Sequence, residues 1–256
     1  MDNSIYVSLS LALSLERSMD VTANNIANAN TAGFKAGRAD FASLVQKTGG
    51  GTDGQTGGDI SFVNQSSAHL DPTPGPLQKT GNPLDLALSG DGWFSYRTAA
   101  GATAYGRDGR LSVDAQGNLV TVTGAQILDQ SGNAIAVPQG SAGTLQVGAD
   151  GTITDRTGAT LGRIGVFTVP DIAGFQRADG GMLIPPEGAA AGATPATPED
   201  DGVKVAQGYL EGSNVEPVLE MTRMMEIQRA YDRSMKLMDD QDSLRKQVLS
   251  QLGQIG

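Results

Sequence analysis

The sequence predicts an α+β protein in which N- and C-terminal helices pair as a coiled-coil-like bundle and an antiparallel β-rich middle lies between them. Three observations carry this prediction. A long stretch near the C-terminus, from Pro217 to Gly253, contains no internal glycine or proline and repeats apolar residues at helical spacing. The first 32 residues likewise contain neither glycine nor proline. Between the ends, short aliphatic alternations are separated by Gly, Asn and Asp at spacings of roughly 8 to 12 residues, the rhythm of β-hairpins.

The N-terminal segment, residues 1–34, satisfies two patterns at once. Val7, Leu9, Leu11, Leu13 and Leu15 alternate with smaller residues at period two, which reads as a half-buried strand. Ile5, Leu9, Ala12, Met19, Ala23 and Ile26 follow a helical spacing interrupted by Glu16. The segment is taken as a helix ending near Ala32 and Gly33, where glycine suits a left-handed cap. Asn24, Asn25, Asn28 and Asn30 fall within seven residues of its end, and asparagine amides compete for backbone hydrogen bonds in a helix. Such a helix is weak alone and gains if those amides find partners on an assembled neighbour.

Residues 35–74 are expected to form an extended, flexible connector, because the run TGGGTDGQTGGD at 48–59 holds too little apolar surface to order itself. The β-rich domain is assigned to 75–211. It is interrupted by a Pro/Ala/Gly/acid loop at 185–202 (PPEGAAAGATPATPEDDG). Residues 212–256 form the last helix. Ser213 and Glu216 have capping-box spacing and Pro217 falls in the first turn. Met221, Met224, Gln228, Tyr231, Met235, Met238, Asp242, Arg245, Leu249 and Leu252 keep a strict 3,4 spacing, and seven of the ten are apolar. A stripe of that length implies a seam against another helix, and the N-terminal segment is the available partner. Asp232 with Lys236, and Asp242 with Lys246, have the i,i+4 spacing of supporting ion pairs.

Composition narrows function further. The 256 residues carry a formal charge of -10, which opposes binding to nucleic acid phosphates and to anionic membrane surfaces. The absence of cysteine removes disulfides, thiolate nucleophiles and zinc-thiolate sites. No stretch approaches the ~20 apolar residues of a membrane span. The apolar run after Asp2 lacks a preceding Lys or Arg, so no cleaved signal is expected.

Catalytic constellations are thin. His69 is the only histidine and sits in a proline-flanked loop without an evident nucleophile or co-ligands. Gly49, Gly51 and Gly54 match G-x-G-x-x-G, but inside the glycine tract rather than between a strand and a helix. Asp85, Asp91, Asp108 and Asp114 supply carboxylates in number sufficient for glycoside hydrolysis, yet each occupies a position natural to a turn or an outward strand site. The sequence therefore gives no catalytic, cofactor-binding or metal-binding assignment. A secreted hydrolase or adhesin remains the remote alternative.

Residues 23–35 (ANNIANANTAGFK), 81–94 (GNPLDLALSGDGWF), 210–215 (LEGSNV) with Glu220-Met221-Thr222, and Gln228-Arg229-Ala230-Tyr231 resemble the signatures of the flagellar rod and hook family of axial proteins. Residues 105–121 (YGRDGRLSVDAQGNLVT) resemble its β-hairpin segment, so the similarity covers most of the chain outside 46–68 and 185–202. Within the family the likeness is greatest to the proximal-rod branch, with the distal-rod branch as rival. Asp232, where the family more often has Glu, and the serine-alternating 7–15 segment depart from the pattern. The resemblance implies a structural, non-enzymatic subunit. Its terminal helices would surround a central export channel, and it would leave the cell through the flagellar type III export apparatus without a cleaved signal and join the periplasmic drive shaft. It further implies copies of itself and other rod proteins as partners, with no nucleic acid and no membrane insertion. The residues on which assembly is expected to depend are Asn24, Asn25, Ile26, Asn28, Asn30, Gly33 and Phe34, then Ser213, Asn214 and Val215, then Met221, Met224, Gln228, Tyr231, Met235 and Met238.

Overall fold

The first helix forms despite the strand-like alternation of its leucines. In a computed structural model, which describes residues 3–46, 60–138, 140–186, 192–196 and 202–252, α1 spans Asn3–Ala27 and α2 spans Pro217–Leu252. Residues two apart on a helix point about 200° apart. Alternation at period two therefore becomes two i,i+4 stripes on opposite faces. Leu15 is buried and Leu11 half-buried, whereas Leu9 and Leu13 are 45% and 46% exposed. The inward face is completed by Ser14, Ser18, Thr22 and Asn25. Ser18 can be buried because its hydroxyl donates to the Ser14 carbonyl at 2.9 Å.

The chain divides into two compact units. One contains 1–27, 37–69 and 216–256; the other contains 28–36 and 70–215. In the first, α1 and α2 run antiparallel: Asn25 meets Glu220 at 3.1 Å, and the Ser234 hydroxyl donates to the Ser8 carbonyl at 3.2 Å. The buried and half-buried stripe of α2 comprises Glu220, Met224, Ile227, Tyr231, Ser234 and Met238, again at 3,4 spacing. The expected seam shares Met224, Tyr231 and Met238 with it. Met221, Gln228, Met235 and Asp242 are exposed instead, because their alternates Glu220, Ile227 and Ser234 are rotated by one residue toward α1. The side chains of Arg245, Leu249 and Leu252 lie outside the described ones.

Three boundaries differ from expectation. Helix α1 stops at Ala27, and 28–34 form turns in which the Thr31 N–H bonds the Asn28 carbonyl and the Phe34 N–H the Thr31 carbonyl. The asparagines do end the helix, but earlier than Gly33. Helix α2 begins at Pro217. Proline fixes the first helical φ and disfavours helical geometry at Glu216, so Ser213 cannot be the cap; its hydroxyl accepts the Val215 N–H at 3.2 Å. The connector at 35–74 contains β1 (Gly37–Gln46) and β2 (Ile60–Leu70), which pair. The whole 48–59 glycine tract, with its Gly49-Gly51-Gly54 match, falls between these strands in sequence and outside the described residues, as do 187–191 and 197–201 of the Pro/Ala/Gly loop.

The second unit is antiparallel throughout its described strand pairs. Strand β3 (Leu77–Lys79) returns in this unit beside the late strand at 209–211, and β4 (Leu86–Ser89) beside the strand at 204–207. The main sheet holds β5 (Trp93–Arg97), β6 (Thr103–Gly106), β7 (Leu111–Val113), β8 (Leu119–Thr121) and β9 (Gln126–Ile127). A three-stranded sheet follows from β10 (Gln146–Val147), β11 (Thr152–Thr154) and β12 (Thr160–Arg163). Strands β13 (Val166–Thr168), β14 (Gln176–Arg177), β15 (Leu183–Ile184) and β16 (Thr194–Pro195) rejoin the main sheet, and β17 (Lys204–Gln207) and β18 (Tyr209–Glu211) close the unit. Its core is aliphatic, with Leu86, Leu88, Ile127, Ile153 and Ile164 around Phe94 and Tyr96. Turns repeat one device: Asp114 and Asp155 each accept the N–H groups two and four residues on, and the glycine three residues on, Gly117 or Gly158, adopts positive φ. This is a hairpin loop whose left-handed position demands glycine.

Candidate functional site

Two buried polar nodes organise the segments that the sequence singled out, one in each unit. In the helical unit, Asn25 uses its amide as a surrogate peptide group. Its Nδ2 donates to the Gly37 carbonyl at 2.9 Å and its Oδ1 accepts the Gly37 N–H at 2.8 Å. The same Nδ2 reaches Glu220 Oε2 at 3.1 Å. Glu220 is 2% exposed and accepts Arg223 Nη1 at 2.6 Å, with Arg38 Nη1 at 3.5 Å. A carboxylate in the first turn of α2 also faces the positive end of that helix.

In the β-rich unit, residues 33–36 lie along 211–215. The Gly33 N–H bonds the Glu211 carbonyl at 2.8 Å, the Asn214 N–H bonds the Phe34 carbonyl at 3.3 Å, and Asn214 Oδ1 accepts the Ala36 N–H at 2.7 Å. Asn214 Nδ2 donates to the Asp71 and Thr73 carbonyls, each at 3.1 Å. Phe34 packs with Ala36 and Val215, and the Arg177 guanidinium lies 4.4 Å from its ring centroid. Gly33 has φ +68°, and a Cβ there would stand 2.3 Å from the Arg107 carbonyl carbon. Only glycine fits both constraints.

Beneath this seam lies an ion triad. Glu211 has a fully buried side chain that takes Lys35 Nζ at 2.6 Å on Oε1 and Arg107 Nη1 at 3.0 Å on Oε2. The Gly75 N–H also donates to Oε1, at 2.9 Å. Lys35 bonds the Thr73 carbonyl at 2.7 Å and Arg107 Nη2 bonds the Gly90 carbonyl at 2.7 Å. Both cations sit over the Trp93 ring, at 5.8 Å and 5.0 Å from its centroid. Burial pushes the Lys35 pKa below its ordinary value, against the opposing pull of Glu211.

The sequence-predicted residues divide into two sets. Asn25, Gly33, Phe34, Ser213, Asn214 and Val215 are engaged within the chain. Asn24, Asn30, Met221, Gln228 and Met235 are exposed, Ile26, Met224, Tyr231 and Met238 are half-buried, and so is Asn28, whose carbonyl and side chain both accept from Thr31. Sequence reasoning missed Lys35, Arg107, Glu211 and Glu220. The available signal was that opposite charges, Lys35 and Glu211, are embedded in two of the signature segments.

Three of the four carboxylates weighed for hydrolysis are occupied locally, and the fourth, Asp91, is exposed. Asp108 accepts a bidentate pair from Arg110 at 2.9 and 2.7 Å, Asp85 takes the Asn82 amide at 3.0 Å, and Asp114 holds its turn. Among the described residues no group of three His, Cys, Asp or Glu is placed to hold a metal, and no helix is long and apolar enough to cross a membrane.

Three family models match in sequence order. Residues 6–35 match the flagella basal body rod protein model, 87–155 the flagellar hook protein FlgE/F/G D1 domain, and 206–252 the flagellar basal body rod FlgEFG protein C-terminal model. Full-length relatives agree. The flagellar basal-body rod protein FlgF of Caulobacter vibrioides is 38% identical over 100% of both chains, and that of Mesorhizobium japonicum 37% identical over 99% of both. The chain belongs to the flagellar basal-body rod protein family. A relative named FlgG, from Bacillus subtilis, is 32% identical over 96% of this chain and 98% of its own. Members of this family are structural proteins rather than enzymes. The matched segments at 6–35 and 206–252 contain all four ends of the two nodes' long-range bonds between Asn25 and Glu220 and between Lys35 and Glu211.

Proposed function

We propose that this rod-family protein is a proximal-rod subunit, polymerising with copies of itself and other rod proteins through its terminal helices into the drive shaft around the export channel. The observation that carries the reading is the apolar surface these helices leave uncovered. Leu9 and Leu13 on α1, and Met221, Met225, Leu237 and Leu244 on α2, are all 45% exposed or more. On α2, Met221 with Met225 and Leu237 with Leu244 lie on different sides of the helix, and apolar side chains left exposed in this way mark surfaces that other chains cover. The paired helices act as a coiled-coil-like bundle, and 75–211 acts as the outer β-rich domain. The proximal assignment is supported by relatives named FlgF that align over 99–100% of this chain at 36–38% identity. On this reading the subunit reaches the periplasm through the flagellar type III export apparatus.

Deletion of 219–256 tests this reading. The β-rich domain should keep its fold while the protein disappears from isolated basal bodies; normal rods containing the truncated chain would refute it. Labelled full-length protein should decorate the membrane-proximal part of the rod, and label confined to the distal part would favour the distal-rod reading.

A further inference from the structure

Methionine thioethers are the only sulfur in this chain, which contains eight methionines and no cysteine. They are therefore its most readily oxidised side chains. Five of the eight, Met221, Met224, Met225, Met235 and Met238, fall on α2, and their positions on that helix differ sharply. Met221, Met225 and Met235 are 50%, 51% and 40% exposed, whereas Met224 and Met238 are half-buried in the stripe facing α1. At about 100° per residue, Met225 and Met235 stand about 40° to either side of Met221. The three exposed thioethers thus share one side of the helix, spread along about 21 Å of its length. Elsewhere among the described residues Met19 is half-buried and Met182 is 7% exposed.

We propose that Met221, Met225 and Met235 form an oxidation-sensitive patch, and that their conversion to sulfoxides by peroxides withholds the subunit from assembly. In each step the thioether sulfur takes one oxygen atom from the peroxide. The O–O bond breaks, an S=O bond forms, and the peroxide proton passes to the departing oxygen. Sulfur is oxidised by two electrons and the peroxide is reduced to an alcohol, or to water where hydrogen peroxide is the oxidant. A polar group with a strong acceptor oxygen then replaces an apolar one. The single chain tolerates the change, because all three side chains face solvent there. A surface that has to be dried against another chain does not, and each sulfoxide left in it weakens the contact by about tenfold or more. The consequence for assembly rests on the rod reading above; the order of oxidation rests on exposure alone.

Purified full-length protein is exposed to hydrogen peroxide and the sulfoxides are located by peptide mass spectrometry. Met221, Met225 and Met235 should oxidise about tenfold faster than Met182, Met224 and Met238, with an unchanged melting temperature while only those three are modified. Equal rates along the helix, or early loss of the fold, overturn the patch. In isolated basal bodies the same three should oxidise at least about tenfold more slowly than in the free chain, and unchanged rates there overturn the link to assembly. The decisive comparison is a chain carrying Met221→Leu, Met225→Leu and Met235→Leu, which keeps the apolar surface and cannot be oxidised at it. After a sublethal peroxide pulse given while rods are being built, the natural chain should fall about tenfold below the leucine chain in newly assembled basal bodies. Equal amounts of the two overturn the proposal. Should the leucine chain assemble poorly without peroxide, sulfoxide occupancy in the natural chain decides: enrichment of about tenfold in the unassembled pool over basal bodies supports the proposal, and equal occupancy overturns it. Failure of the rod reading would instead appear as absence of the untreated protein from basal bodies, whatever the order of oxidation in the free chain.

Discussion

Replacing Glu211 by glutamine should be the most damaging conservative substitution in the β-rich unit. The side chain keeps its volume and can still accept the Gly75 N–H and Lys35, but the only anion between Lys35 and Arg107 is gone. Two cations with side chains 1–2% exposed then lie over one indole ring without the carboxylate they both bonded. Breaking a buried pair by removing one partner costs about 3–5 kcal/mol. For a unit of this size that lowers the melting temperature by about 6–20 °C. Lys35→Met is the informative contrast. It removes the surplus cation and leaves Arg107 and Glu211 as a balanced pair, so it should cost only about 1–2 kcal/mol, chiefly the lost bond to the Thr73 carbonyl. In the double variant Arg107 alone lacks a partner, and the combined loss should fall short of the sum by about 1 kcal/mol or more. Urea unfolding followed by Trp93 fluorescence measures all three. Equal losses for the two single variants, or strict additivity, would refute the view that Glu211 is a shared anion in cationic excess.

Gly33→Ala should destabilise the same unit by at least about 2 kcal/mol, since φ +68° is costly for alanine and its methyl group would enter the Arg107 backbone; thermal melts decide it. Asn25→Ala should leave both backbone groups of Gly37 unpaired, at roughly 1–3 kcal/mol each, and lower the midpoint of the far-UV helical transition; an unchanged midpoint would contradict the node. Acid stability should depend on the turns. Hydrogen bonds from Asn118, Thr152 and Thr157 hold Asp114, Asp150 and Asp155 below their ordinary 3.8. The folded state then binds fewer protons than the unfolded one, so stability fully present above 3.8 is lost as pH falls below that value through the lower pKa values of the folded state. Replacing the three by asparagine should flatten the acid limb of stability against pH, and an identical limb would count against it.

How far the sequence was legible depended on whether a residue's partner lay nearby in the chain. The long α2 could be read from its own composition, and so could the β-hairpins, because the Asp and Gly that shape each turn lie three residues apart. The α1 leucines were ambiguous for a geometric reason: two residues apart means opposite faces on a helix, so an alternating run serves both an inner and an outer surface. The α2 seam was placed one residue off at four of its seven described positions because the stripe was traced through methionines. The structure buries Glu220 and Ser234, polar residues whose bonds to Asn25 and Ser8 are formed across about 195 to 226 residues of sequence. The ion triad was unreadable for the same cause. Lys35, Arg107 and Glu211 are brought together only by the folded unit, and no local pattern marks a charge as buried.

The central claim, that the outward apolar stripe of the terminal helices is an assembly surface, is tested most directly by replacing Met221, Met225 and Met235 with glutamate together. All three are at least 40% exposed in the single chain. The purified variant should therefore melt like the unsubstituted protein, while basal bodies isolated from cells carrying it should lack the subunit and the cells should not swim. A variant that melts normally and yet appears in rods at the usual level would contradict the account.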